Sequence, residues 1–199
     1  MRTPVHEETT TLTNQRTDDD LMHAWITAST SDNRPGAETE RPQALTYYGP
    51  GMATVLLTGM SGAGKSTVLA ELSRRGVVTV DTDYDGWVLP DGTWDEPRMS
   101  DLLSAHRDLV VSGTVDNQGR FYDRFAHVVL LSAPLDVLLE RVSRRTTNPY
   151  GASAAERAEI AHYVATVEPL LRAGASVELD GRLPVDELAD ALERLVLRS

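Results

Sequence analysis

The stretch GMSGAGKST, residues 59–67, decides how the chain is read. It contains Lys65, the only lysine; every other one of the 19 basic residues is arginine. Gly59 through Gly64, Lys65 and Ser66 fit the pattern G-x-x-x-x-G-K-[ST] without departure, the pattern of a phosphate-binding loop. The flanks fit as well. Residues 53–58 (ATVLLT) form a continuous apolar run, expected of a strand buried on both faces. Residues 66–75 read as a helix closed by Gly76. Each residue type in the loop has a physical task. Gly59, Gly62 and Gly64 let the backbone curl, so that the amides of Ser61 to Thr67, Ala63 among them, can converge on phosphate oxygens. The following helix turns its positive N-terminal end to the same place. Lys65 supplies a compact charge on a flexible stem, which arginine's planar fork does not reproduce. Ser66 offers a hydroxyl to Mg²⁺. The competing reading, a chance match in a glycine-rich turn, leaves the strand and the helix unexplained.

The totals narrow the classes. A chain of 199 residues suits one ordinary domain with some excess. Without cysteine there is no disulfide and no thiolate metal site, and five scattered histidines do not suggest a metal cluster. A net charge of −11 argues against a nucleic-acid binder that relies on a broad basic surface. A small anionic ligand needs only a few local cations and amides. No apolar run approaches the ~20 residues needed to span a bilayer, and the first residues have no apolar core of the signal-peptide kind. The expectation is a cytoplasmic protein with no membrane partner.

Residues 1–51 differ from the rest. They are polar, Thr-rich and acidic at first, with Pro35, Gly36 and Pro42 later, and read as a tail or loosely attached arm. Residues 21–28 (LMHAWITA) could form a short helix there, with Trp25 docking. Met52 stands directly before the first strand, so translation starting there is a further expectation. From 52 to 199 strands alternate with helices. Further strands are expected at 77–80, 109–112, 127–132 and 176–179. Helices are expected at 96–106, from Pro134 onward with Leu135, Leu138, Leu139 and Val142 on one face, and at 184–197. Ser153 and Glu156 have capping-box spacing and open one helix whose apolar positions run Ile160, Val164, Val167, Leu171. Alternation of this kind predicts an α/β fold with a parallel sheet covered on both faces.

The segment 53–198 resembles the small P-loop kinases of the shikimate kinase, gluconate kinase and nucleoside monophosphate kinase type. The resemblance rests on GMSGAGKST after the first strand, on VDTD at the end of the second, on LLERVSRRTTNPYG after the fourth, and on size. It implies the three-layer P-loop NTPase fold, five parallel strands in the order 2-3-1-4-5. It also implies roles. Asp81 helps Ser66 hold Mg²⁺, and Asp83 contacts the acceptor hydroxyl and can take its proton. The residues agree: two carboxylates at i and i+2 close an apolar strand, at the sheet edge where such folds bind ligands, and phosphoryl transfer needs a metal, an aligned hydroxyl and a nearby carboxylate. Either aspartate could instead cap the next turn. Arg141 matches the arginine that stacks on adenine. The lid arginine directly before proline is replaced by Asn148, leaving Arg145, Arg144 or Arg157 as substitutes, Arg145 first. The alternative for these arginines is a solvated helix face.

The acceptor side is weakly marked. Candidates are Tyr84, Trp87, Trp94, Arg98, Asn117, Gln118, Arg120 and Arg124. Asp116, Asn117 and Gln118 could bind a polar acceptor or form a turn with Gly119. Trp87 and Trp94, flanking VLPDGT, read as a packed hairpin or as a stacking platform. Shikimate kinases carry a triple glycine after the third strand; this chain reads SGTVDNQG, which argues against shikimate as acceptor. The reading is therefore an ATP- and Mg²⁺-dependent kinase for a small hydroxylated molecule, with Lys65, Asp83 and Arg145 in the chemistry. The alternatives are a nucleotide or polynucleotide 5′-end kinase and a nucleotide-binding regulator with little turnover.

Overall fold

The computed structural model describes residues 53–145 and 150–197. The expectations for 21–28 and Trp25, for a start at Met52, and for the substitution at Asn148 lie outside the described residues.

Five strands form one all-parallel sheet: β1 (Thr54–Thr58), β2 (Thr79–Asp81), β3 (Leu109–Ser112), β4 (His127–Ser132) and β5 (Val177–Asp180). Their order is β2-β3-β1-β4-β5, the expected 2-3-1-4-5. The helices are α1 (Lys65–Arg74), α2 (Glu96–Ala105), α3 (Leu135–Arg144), α4 (Ala154–Thr166), α5 (Glu168–Gly174) and α6 (Val185–Leu197), with a 3₁₀ helix at Gln118–Arg124. None among the described residues is long and apolar enough to cross a membrane.

Every residue of β1 is buried, because the strand is central and helices cover both faces. Alternation splits its side chains between two cores. Val55 and Leu57 join Val68, Leu69 and Leu72 of α1 and Leu188, Leu192 and Val196 of α6. Leu56 joins Val111, Met99 and Leu103 of α2, Trp94 and Phe121 on the other face. Removing a buried leucine such as Leu56 by truncation to alanine costs about 2–5 kcal/mol.

Three expectations need correction. Strand β2 begins at Thr79, not at 77, because Val77 belongs to the end of α1: with Gly76 at φ 87, the Val77 amide donates to the Leu72 carbonyl and the Gly76 amide to Ser73. That is a Schellman-type closure. The single helix expected from Ser153 to beyond Leu171 is two helices, α4 and α5, parting at Val167. Pro169 lacks the amide that would continue α4. The 3₁₀ helix was not expected at all. The capping box at Ser153 and Glu156 is present in both directions.

Candidate active site

The segments that follow β1, β2 and β5, the N-terminus of α1 and the C-terminal end of α3 meet around one cleft of about 490 Å³. Its floor is the loop 59–67. Gly62 has φ 88, and a Cβ there would lie 2.7 Å from the Leu138 carbonyl oxygen of α3. The loop is therefore pressed onto α3 and only glycine fits. Gly64, at φ 110, turns the chain into α1.

Lys65 donates from Nζ to the carbonyls of Gly59 (2.5 Å) and Met60 (3.4 Å). Burial pushes its pKa below the ordinary ammonium value; Asp83 and Asp81 oppose the shift and Arg145 adds to it. The Ser66 hydroxyl donates to Asp81 Oδ2 at 2.7 Å, and Asp81 Oδ1 accepts the Asp83 amide at 3.2 Å. Asp81 so ties α1 to the end of β2. The Asp83 carboxyl lines the cleft and is held above its usual range, chiefly by desolvation and further by Asp81, against Lys65 and Arg145.

Two arginines close the other side. Arg141 of α3 donates to Ala63 O at 3.1 Å, Gly62 O at 3.4 Å and Gly181 O at 2.9 Å. It ties the loop to the turn after β5. Arg145 donates from Nη2 to Ser61 Oγ (3.0 Å) and Tyr150 O (2.6 Å), while its Nε is buried with no acceptor. Two cations on one cleft, Lys65 and Arg145, and a loop that admits no Cβ at Gly62 suit the phosphates of a nucleotide. Ser66 and Asp81 supply the hydroxyl and carboxylate oxygens that suit Mg²⁺. The residues present fit both groups.

Several sequence candidates fall elsewhere. Arg144 is exposed and pairs with Glu140 at 2.8 Å; Arg157 donates to the carbonyls of Gly151 and Ala152. Asn117 and Gln118 are buried and structural rather than free for an acceptor: Asn117 brackets Trp94 through its amide and carbonyl, and Gln118 bonds Thr58, Val115 and Tyr122. Trp94 is fully buried and donates from Nε1 to Thr82. Trp87 is buried beneath the Arg98 guanidinium, 3.8 Å from its ring centre, and Val88 bridges to Trp94. The tryptophans thus pack a hairpin and form no open platform. Arg120 pairs with Glu96, and Arg124 donates to Ser104. Tyr84 remains on the cleft beside Asp83. Sequence reading missed Gly181, Leu183, Val185 and Leu188, which wall the side of the cleft near Arg141. They follow β5, more than a hundred residues after the loop, and carry no local signature.

Residues 55–162 match the family described as AAA domain. Over 149 residues, 71% of this chain and 67% of the relative, the chain is 35% identical to a dephospho-CoA kinase of Deinococcus radiodurans. The chain belongs to the small P-loop kinases. Among solved structures, this kinase is similar to a shikimate kinase from Acinetobacter baumannii in complex with shikimate, with a TM-score of 0.55 at 20% identity, covering 73% of this chain and 93% of the other. A gluconokinase from Sinorhizobium meliloti aligns with a TM-score of 0.52 at 20% identity, covering 74% and 91%. At that identity the likeness shows the fold.

Proposed function

We propose that this kinase transfers the terminal phosphoryl group of ATP to a hydroxyl of a small-molecule acceptor. What carries the reading is the convergence of Lys65, Arg145, the Ser66–Asp81 pair and the Asp83 carboxyl on one cleft. In this reading the amides of residues 61–67, with Gly59 at the turn, and Lys65 hold the phosphates, and Arg141 flanks the base. Ser66 and Asp81 hold Mg²⁺, which when bound neutralises charge on the phosphates. Asp83 aligns the acceptor hydroxyl and takes its proton; its raised pKa makes it a better base than an ordinary aspartate. Arg145, anchored by Ser61 and Tyr150, brings a second positive charge to the phosphate being transferred. An arginine at that charge contributes on the order of 10³-fold or more in rate.

The test offers the protein labelled Mg·ATP with a metabolite extract, supplemented with dephospho-CoA and shikimate because those compounds appear in the names of its relatives. The expected result is one new labelled acceptor. Label recovered only as free phosphate, or none transferred, would overturn the kinase reading in favour of a regulator. Asp83→Asn is expected to retain ATP binding and lose transfer.

A further inference from the structure

The segment after β3 does something the acceptor reading did not foresee. Thr114 lies 55 residues from Gly59 in sequence, yet its hydroxyl grips Gly59 on both sides: it donates to the Gly59 carbonyl at 3.0 Å and accepts from the Gly59 amide at 3.3 Å. Behind it stand the Thr58 hydroxyl, 3.1 Å away, and Gln118, whose Nε2 reaches Thr58 at 3.3 Å and Tyr122 Oη at 2.7 Å. Gln118 Oε1 already accepts the Val115 amide at 3.2 Å. Each threonine has one hydroxyl proton. Thr58 has two acceptors within reach, Thr114 Oγ1 at 3.1 Å and Gln118 Oε1 at 3.3 Å. When it donates to Thr114, with Thr114 donating to Gly59 and Gln118 Nε2 to Thr58 and Tyr122, both threonines and Gln118 have all their side-chain protons placed. The chain of bonds then runs in one direction, from the buried Gln118 amide to the Gly59 carbonyl, and its members polarise one another.

That carbonyl is the same oxygen on which the Lys65 ammonium rests. The ammonium has three donors, two of them on the carbonyls of Gly59 and Met60, so it can meet a phosphate with the third while still resting on the buried Gly59. We propose that Thr114, backed by Thr58 and Gln118, is a positioning residue of the phosphate loop. It holds the Gly59 peptide by both its carbonyl and its amide, so that the oxygen on which Lys65 rests, and the ammonium with it, stay placed at the loop entrance.

The inference rests on the proposed nucleotide site, and the experiment separates the two. Mg·ATP and Mg·ADP binding is measured by calorimetry on the full chain for wild type, Thr114→Val and Thr114→Ser, with melting temperatures taken without nucleotide. Expected are roughly tenfold weaker nucleotide binding for the valine variant, affinity within about twofold of wild type for serine, and a matching rise in KM for ATP while KM for the acceptor holds. Wild-type protein that binds no nucleotide overturns the site itself. Wild type that binds, with valine equal to it or serine as weak as valine, overturns only the role of Thr114. If the valine variant does not fold, amide exchange of wild-type Gly59 decides: protection with and without ADP supports the pin, and exchange at the rate of the open loop overturns it.

Discussion

Asp83 and Lys65 face each other across the cleft with their pKa values pushed together, the carboxyl up and the ammonium down, both mainly by desolvation. For Asp83 the consequence is kinetic. In the proposed mechanism Asp83 is the base and must be unprotonated, so kcat/KM is expected to fall as pH drops through its raised pKa, with the acid limb above the ~4 of an ordinary aspartate. Replacing it with asparagine is expected to cost at least ~10²-fold in transfer; a pH–rate profile with its limb at the ordinary carboxylate value would point to another base. For Lys65 the consequence is thermodynamic. Between its lowered folded pKa and 10.5 the unfolded chain holds more protons than the folded one, so folding becomes more favourable as pH rises through that window. Below the window the cost of the buried charge is present in full. Lys65→Met removes it, so the variant without nucleotide is expected to be the more stable near pH 7, with the gap narrowing toward pH ~10, while Mg·ATP no longer raises its melting temperature. Denaturant midpoints at the two pH values check this. Both residues were legible in the sequence because their signals are local: a loop spacing, and two carboxylates closing a strand. Thr114, Asn117 and Gln118 were not, since the partners that give them meaning, Gly59, Trp94 and Thr58, stand 23 to 60 residues away. A short polar run reads alike whether it binds a ligand or braces a loop.

Among the elements, α3 matters beyond its apolar face, because the loop leans on it. Gly62→Ala would place a methyl 2.7 Å from the Leu138 carbonyl and 3.0 Å from Val142 Cγ1, at a positive φ. The loop must shift, and nucleotide affinity is expected to drop at least tenfold, with about 1–3 kcal/mol lost from the fold; calorimetry and denaturant unfolding measure the two losses. Ser153 governs the root of α4 on the far side of Tyr150, and Ser153→Ala is expected to cost about 1 kcal/mol. The element pattern was readable wherever one period held: the strands at 109–112 and 127–132 stand where alternation and apolar runs put them. It misled where apolar spacing ran on through a break. Ile160, Val164, Val167 and Leu171 keep a helical interval across Val167, and only Pro169 marks that one helix ends and another begins there. Val77 looked like strand because it is β-branched, although its amide closes a helix.

At the scale of the whole molecule, the two cores that cover the sheet draw, among the described residues, on side chains from Ala53 to Val196. The chain entering β1 is clamped by the closing helix, the Ala53 amide donating to the Val196 carbonyl at 2.9 Å, and Arg75 at the end of α1 spans to Asp190 and Glu193 of α6. Opening strand, phosphate loop and final helix are thus one cooperative unit. Residues 1–51, polar and acidic, offer little apolar area to add to it. A chain trimmed to 52–199 is therefore expected to melt within a few degrees of the full chain, since about 1 kcal/mol moves the midpoint of a body this size by about 2–4 °C. It is also expected to bind Mg·ATP with unchanged affinity. Because a ligand that binds only the folded state raises the melting temperature with concentration, the same scans at several ATP levels report both quantities. A midpoint lowered by more than about 10 °C would assign 1–51 a place in the body of the fold, since on this scale that is several kcal/mol. Lost affinity at an unchanged midpoint would instead assign those residues to the cleft.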